Sequence, residues 1–410
     1  TGDKGRGRGG EELGRFEPGS ELRARVTILC EGTGGHLTGA ALAHFGLAGA
    51  SPQVWALGVK EVWRVPRPLR RVIHTMGWPL RAGARYREFG GSFIYPMGDE
   101  LVSIGLVVGL DYRDVDLSVH DLLQELKTHP LVLGLLEGGD RVAWGAKTIP
   151  EGGFVALPRA FHAPGLLLCG DGVGLVNVPA LKGIHYAVES GRLAAEAAAR
   201  GELDGYDSAL RESFVWNDLR AVRNMRQGFA GGFWRGSISA GLATVTRGRV
   251  PSADRPTERD ADQDLIRTGR AASYPPPDGR LTFDKLSSVY LSGNRTRDDQ
   301  PNHIRVQTDV PRALAEMWAR MCPAQVYEVE PGEGGRSEGE GARRSGMDDE
   351  AVRGEGEPGG GTDGEPAGSD GERVKLVVTA SNCVQCGAIT AKGGRLTPPE
   401  GGSGPEYSLT

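Results

Sequence analysis

Cysteines are the residues of this chain best suited to chemistry. There are five: Cys30, Cys169, Cys322, Cys383 and Cys386. Cys322 is followed by Pro323, and Cys383 and Cys386 form a C-x-x-C pair. Iron–sulfur clusters are held by thiolates, commonly from a C-x-x-C-x-x-C run plus a distant cysteine beside proline. Here the run stops at two, because the next position in phase is Ile389. Zinc would also take four ligands, and the nearest spare donor in the sequence, His303, is a poor one. The competing reading is a set of buried, idle thiols. The odd number and uneven spacing argue against a secreted disulfide framework.

A second constellation is a strand, a GDG turn and a helix, starting at residues 166–174 (LLLCGDGVG). A dinucleotide needs glycines where backbone approaches phosphate, and a helix N-terminus whose free N–H groups face the charge. Asp171 is placed to accept hydrogen bonds from ribityl or ribose hydroxyls. An ordinary tight turn explains the glycines equally well. The pairing with VTILCEG, another strand ending in a small turn, favours the cofactor reading. No G-x-G-x-x-G follows an N-terminal strand, so that strand–turn–helix is expected to lie before Thr1.

Two further segments invite a ligand. In residues 227–249, Phe229, Phe233, Trp234, Ile238, Leu242 and Val245 recur at mostly helical spacing, with Arg223, Arg226, Arg235, Arg247 and Arg249 along or beside them. That suits a helix lying in a membrane interface; packing on the protein's own core is the alternative, and six glycines weaken the helix. Gly90-Gly91 in FGGSFIY can expose backbone N–H groups to a ligand carbonyl, or simply mark a bulge. No Ser/His/Asp arrangement suggests hydrolysis, and the eight histidines show no metal-ligand spacing. Tyr206 and Trp216 read as core.

These residues need elements to position them. The chain has 410 residues, 39% of them hydrophobic, and a net charge of −5. That length supports two or three domains. Residues 331–373 carry 12 acidic and 5 basic side chains and no Leu, Ile, Phe, Tyr or Trp, so they are expected to be disordered. Their net charge is −7, which leaves about +2 on the remainder. With a balance so near neutral, nothing suggests a nucleic-acid binder. No run of about 18 apolar residues is present to span a bilayer, and no signal or transit peptide is seen. The first residue is not Met, so the missing peptide says nothing about compartment.

Residues 23–30 read as a buried strand, after a polar turn region at 12–21, and residues 34–47 as a short helix. Residues 53–112 are strand-rich and antiparallel in pattern. Residues 119–127 form a helix with Leu122, Leu123 and Leu126 on one face. Residues 165–169 are a strand before a long alanine-rich helix to Arg200, and residues 205–226 are amphipathic. Strands are expected at 281–291, 303–306 and 375–379.

Taken in order, these segments resemble a known family, the electron transfer flavoprotein–ubiquinone oxidoreductases. The resemblance is carried by VTILCEGTGGHL, LGVKEVWRVP, HTMGWPL, FGGSFIYPM, GLVVGLDY and LEGGDRVAWGAKTIPEGGF. It continues through GLLLCGDGVGLVNVPALKGIHYAVESGRLAAE, YPPPDGRLTFDKLSSVYLSGN, DQPNHI, CPAQVYE, NCVQC and PEGGSGPEY. It runs from about residue 13 to the end, broken only at 331–373.

The resemblance implies one FAD and one [4Fe–4S] cluster, with electrons passing from reduced electron transfer flavoprotein to ubiquinone. It implies monotopic attachment to the matrix face of the mitochondrial inner membrane, or to the bacterial cytoplasmic membrane. FAD contacts are then expected at Glu31, Gly32, Gly170, Asp171, Gly174, Asn177 and Gly183. Quinone contacts fall on Gly90 and Gly91, after Phe89 where the family has tyrosine, and the cluster ligands fall on Cys322, Cys383 and Cys386 with the fourth missing. The alternatives are a geranylgeranyl-reductase-like flavin reductase and an inactive remnant lacking complete cofactor sites.

The expected architecture is α/β plus α+β. Residues 1–50 and 161–226 form an interrupted FAD-binding domain lacking its first βαβ element. Residues 51–160 form an antiparallel quinone-binding domain and 227–250 a membrane-surface helix. Residues 263–330 and 374–410 form a ferredoxin-like domain around the insert at 331–373.

Overall fold

The computed structural model describes residues 2–246, 248–249, 253–330, 372–407 and 409. The low-complexity insert therefore lies outside the described residues, except for its last two. Glu372 pairs with Arg312, and Arg373 opens the strand Arg373–Val378.

The centre is a five-stranded sheet, antiparallel throughout, in the order Ile73–Met76, Gly90–Met97, Leu101–Gly109, Trp55–Arg64, Asp140–Pro150. Its central strands are rich in valine and leucine because both faces are covered. Helix Val119–Lys127 covers one face with Leu122, Leu123 and Leu126, as its periodicity requires, and Ser118 caps it by accepting from Asp121 N–H. Under that helix Glu61 is fully buried. It accepts from Lys127 Nζ at 2.8 Å, Trp63 Nε1 at 2.8 Å and Arg141 Nη1 at 3.4 Å.

Three-stranded pairing builds a second unit. Strand Thr27–Leu29 runs parallel to Leu166–Leu168, which pairs antiparallel with His162–Ala163. Helices Ile184–Arg200, Gly205–Glu212 and Phe214–Ala221 pack with it around Leu167, Leu168, Tyr206 and Leu210. The amphipathic stretch 205–226 is thus two helices and a third short turn rather than one, broken at Ser213, whose backbone is extended. Tyr206 is fully buried, and Trp216 packs edge-on to Phe154.

The C-terminal unit has an antiparallel sheet in the order Asp309–Pro311, Arg373–Val378, Tyr327–Val329, packed on helix Arg312–Met321. Its side chains join the same continuous core as the five-stranded sheet. Residues 281–291 do not form the expected strand. Lys285–Leu291 is a helix, because the Asp284 carboxylate accepts from Ser287 N–H at 2.8 Å and starts it.

The N-terminal residues also differ from expectation. Lys4–Arg6 and Glu12–Glu17 pair as a hairpin, so residues 12–17 are a strand and not a turn. This hairpin does not join strand Thr27–Leu29. It docks on the C-terminal unit, where Gly5 N–H donates to Glu400 and Arg297 donates to the Arg6 carbonyl.

Candidate functional sites

The parallel strands Thr27–Leu29 and Leu166–Leu168 end side by side, so Glu31-Gly32 and Gly170-Asp171 leave the sheet together. Gly170 has a φ of +64°, and a β-carbon there would sit 3.2 Å from Ala187 on the following helix. Glycine is needed for both reasons. Gly183 precedes the 17-residue helix Ile184–Arg200, whose start has no side-chain cap. A β-carbon on Gly183 would meet the Asp171 carboxylate at 3.1 Å, so the helix start and Asp171 converge.

The Asp171 carboxylate is half-buried, and burial raises its pKa. It makes no hydrogen bond or ion pair among the described residues. Leu181, Ile184 and Val188, just before and within the first turns of helix Ile184–Arg200, stand exposed. A bare carboxylate, an uncapped helix N-terminus and an apolar shelf at adjoining strand ends suit a flavin nucleotide: hydroxyls for Asp171, negative charge for the helix end, a flat ring for the shelf.

Other expected FAD positions have occupations of their own. Glu31 accepts from the N–H groups of Leu37 and Thr38 and from the Thr38 hydroxyl, which starts helix His36–His44. Asn177 closes a tight turn: its side chain accepts from Ala180 N–H and donates to the Tyr186 hydroxyl. A β-carbon on Gly174 would meet the Gln53 side chain. Gly32 has a φ of +71° and open space around its Cα.

Gly90 and Gly91 lie within the central sheet. A β-carbon on Gly90 would overlap the Val107 carbonyl, and one on Gly91 would overlap the Thr75 carbonyl. The glycine pair is therefore explained by close strand approach. Gly91→Ala is expected to destabilise the fold by about 1–3 kcal/mol, with or without a quinone analogue present. Thermal unfolding in both conditions checks this; a loss confined to ligand affinity would make the pair a ligand contact instead. Phe89, next in line, packs at a tilt against Phe229, with ring centres 4.8 Å apart, and lies under the Arg226 guanidinium at 4.2 Å.

Arg226 does not face lipid or solvent. It is buried and pairs with Asp111 at 2.6 Å and Glu151 at 2.8 Å. Arg223 pairs with Asp254. Arg235 and Arg249 are exposed, and Arg247 lies outside the described residues. The expected helix over 227–250 is broken at Gly232, where φ is +94°, because Phe233 N–H turns to donate to the Ala82 carbonyl. Beyond the break runs helix Phe233–Val245. Its stripe of Trp234, Ile238, Leu242 and Val245 faces outward, 72%, 75%, 55% and 84% exposed. Met76 and Trp78 are exposed nearby, on the segment against which Phe233 packs. Among the described residues no helix is long and apolar enough to cross a membrane.

The third site brings Cys322, Cys383 and Cys386 to one small cavity, with Tyr327 and Ile389 in its wall. Helix Arg312–Met321 delivers Cys322 at its end, and residues 379–387 deliver the pair. Left-handed kinks at Gln325, Gln385 and Gly387 turn backbone amides inward. Cys322 Sγ accepts from Val326 N–H at 3.5 Å, and Cys383 Sγ from Gln385 N–H at 3.4 Å.

Burial pushes the Cys322 and Cys383 thiols up, and Cys386 up to about 12. Neutral thiols in a dry pocket with N–H groups aimed at the sulfurs become good ligands once a metal offsets their charge. The cysteine loop is docked on the central sheet: Thr148 N–H donates to the Cys386 carbonyl at 2.8 Å, and Lys147 Nζ to the Gln385 carbonyl at 3.2 Å.

No three His, Cys, Asp or Glu side chains among the described residues converge tightly enough for a single metal ion. The donor set does not fit a [4Fe–4S] cluster held by four thiolates, because Ile389, an alkyl side chain, stands three residues after Cys386. His303 does not fill the gap. Both its ring nitrogens are buried without a partner, and the charges that bear on it are His36 and Arg305 rather than the thiols. The spacing of the cysteines points to the site. The inward amides and the lysines beside the thiols, Lys147 and Lys285, have no sequence signal.

Comparison with known proteins agrees with this layout. A family model described as ETF-QO, ubiquinone-binding, matches residues 55–149, the central sheet. Another, described as electron transfer flavoprotein-ubiquinone oxidoreductase, 4Fe-4S, matches residues 279–340, which includes Cys322. The mitochondrial electron transfer flavoprotein-ubiquinone oxidoreductase of Arabidopsis thaliana is 37% identical over all of this chain, which covers 62% of that protein. The rice protein of the same name is 34% identical, with 68% of it covered. The human one is 35% identical, with 65% covered. The chain thus spans about two thirds of the length of these relatives. Among solved structures, a geranylgeranyl bacteriochlorophyll reductase-like protein from Thermoplasma acidophilum superposes with a TM-score of 0.41 at 16% identity, covering 57% of each chain. Identity of 34% to 37% over the whole chain, with both family domains in order, places the protein in the electron transfer flavoprotein–ubiquinone oxidoreductase family.

Proposed function

We propose that the protein oxidises reduced electron transfer flavoprotein and reduces ubiquinone at a membrane surface. The membrane is the mitochondrial inner membrane on its matrix side, or its bacterial counterpart. The observation that carries this reading is the docking of the cysteine loop on the edge strand Asp140–Pro150, through Thr148 and Lys147. It joins a thiol-lined cavity directly to the sheet that matches a ubiquinone-binding family.

FAD, when bound, supplies a carrier that accepts electrons singly and releases them in pairs. Toward it, Asp171 offers an acceptor, the start of helix Ile184–Arg200 offers N–H groups, and Leu181, Ile184 and Val188 offer an apolar face. The shared core of sheet and cysteine unit keeps water out of the space between them. The exposed stripe of helix Phe233–Val245 rests in the lipid interface, where ubiquinone is dissolved.

The test is anaerobic turnover by the purified chain with reduced electron transfer flavoprotein and a short-chain ubiquinone. Flavin absorbance and quinol formation are followed together. Quinol should form only with the flavoprotein donor present. Asp171→Ala should weaken flavin retention on dialysis by about 10- to 100-fold, the cost of hydrogen bonds to an ionised group. A chain that holds no flavin and forms no quinol would overturn the reading.

A further inference from the structure

We propose that the cavity at Cys322, Cys383 and Cys386 holds a three-iron cluster, [3Fe–4S], and not a four-iron one. The inference rests on the functional reading above, in that it takes the cavity for a cluster site, and departs from that reading in the identity of the cluster.

Three observations point the same way. First, each thiol is delivered by a loop built to carry anionic sulfur. The N–H groups of Ala324, Gln325 and Val326 face Cys322, that of Gln385 faces Cys383, and that of Ala388 faces Cys386. Gln325 and Gln385 both take a left-handed backbone, with φ of +50° and +53°. Such a conformation is strained for a residue with a side chain. Idle thiols give no reason to hold it twice. Here it turns amides toward sulfur in both loops.

Second, the fourth corner is filled with hydrocarbon. Ile389 is buried, lines the cavity, and packs by its γ-carbon against Gly394 in front of Val306. Iron at that corner would have neither a protein ligand nor water. A cuboidal three-iron core places only bridging sulfides there, and these tolerate an aliphatic neighbour. Among the described residues, Tyr327 is the one hydroxyl-bearing side chain in the cavity wall.

Third, charge is conserved. An oxidised [3Fe–4S] core with three thiolates carries the same doubly negative charge as an oxidised [4Fe–4S] core with four. The inward amides and the cations that bear on the thiols, Lys285 on Cys322 and Lys147 on Cys383 and Cys386, therefore face an unchanged load. Loading the site takes three ferric ions and four sulfide ions and releases the three thiol protons, which gives the doubly negative oxidised cluster with no electron to dispose of.

The experiment is anaerobic reconstitution of the full chain with excess ferric and ferrous iron and sulfide, so that the oxidation states of either cluster are supplied and oxidative loss of iron does not imitate the result. It is read by iron and sulfide content, EPR and Mössbauer spectroscopy. The expected product has three irons per four sulfides. It is paramagnetic when oxidised and loses that EPR signal on one-electron reduction. Ile389→Cys is expected to reverse the pattern, giving a four-iron cluster that is EPR-silent when oxidised and EPR-active when reduced. Tyr327→Phe should leave the three-iron spectrum intact.

A four-iron cluster in the unaltered chain, or conversion of the cluster type by Tyr327→Phe, would overturn this inference and leave the electron-transfer reading standing. Failure of both the unaltered chain and Ile389→Cys to hold any cluster would overturn the cluster part of that reading as well. A cluster only in Ile389→Cys would overturn the inference, since three thiolates would then be too few.

Discussion

Replacing Glu61 with alanine is expected to cost about 3–5 kcal/mol of stability, as removal of one partner from a buried ion pair does. Glu61 is fully buried, and Lys127 and Arg141 both turn to it, along with the Trp63 indole. Arg141 also donates to Ser288 on helix Lys285–Leu291, so the same carboxylate ties the central sheet to the cysteine unit. Alanine leaves two cations with no paired carboxylate in a core they cannot leave. A loss of that size is a large share of the 5–15 kcal/mol that stabilises most domains. The urea midpoint followed by fluorescence of the buried Trp63 and Trp144 measures it. A loss under about 1 kcal/mol would mean that the cations find other partners.

The pH dependence has a definite sign. Burial raises the Glu61 pKa, but Lys127 and Arg141 outweigh burial and hold it below its usual value. A carboxylate depressed in the folded state adds stability above its unfolded pKa, and that stability is lost as pH falls through the folded value. The acid limb of the stability curve should therefore be flatter in Glu61→Ala than in the unaltered chain.

This network marks a boundary of what linear order encodes. The helix Val119–Lys127 and the strands around it are legible from the spacing of Leu122, Leu123 and Leu126 and from valine-rich runs. Nothing in the linear order says that Glu61, Lys127 and Arg141 meet, because that depends on strand pairing and helix placement together. Arg226 escapes sequence reading for the same reason. An arginine beside an apolar stripe looks like a headgroup contact, yet two carboxylates distant in sequence, Asp111 and Glu151, draw it inside.

Local chemistry can mislead too. Residues 281–291 alternate like a strand, but the Asp284 cap and tertiary packing make a helix of their second half. Residues 12–17 look polar and turn-like, but they pair with Lys4–Arg6 in an edge hairpin. In the candidate sites, cysteine spacing and the GDG turn stand out in the linear order because metal and nucleotide ligation would impose fixed local geometry. Glu31 and Asn177 stand at similar turns, yet they serve a helix start and a tight turn.

Helix Phe233–Val245 leads to the other large effect. A helix that packs on its own core hides its apolar stripe, whereas this one hides Gly236, against Phe229, and presents the stripe outward. Thirteen residues at 1.5 Å each give a rod of about 20 Å, too short to cross a bilayer of about 30 Å and long enough to lie along it. Exposed Met76 and Trp78 widen the face.

Ile238→Glu combined with Leu242→Glu should therefore abolish vesicle binding while leaving the fold intact, because neither side chain supports the core. Each aliphatic side chain contributes about 1.5 kcal/mol or more on leaving water. Losing both predicts a fall of at least about 100-fold in partition onto liposomes, read by flotation. Far-UV circular dichroism and the urea midpoint should not move. If the double variant unfolds, or if it floats as well as the unaltered chain, the stripe serves the protein's own packing or another partner. If it stays folded and soluble but no longer reduces a long-chain quinone in liposomes, while still reducing a water-soluble one, the helix acts by bringing the chain to where its substrate lies.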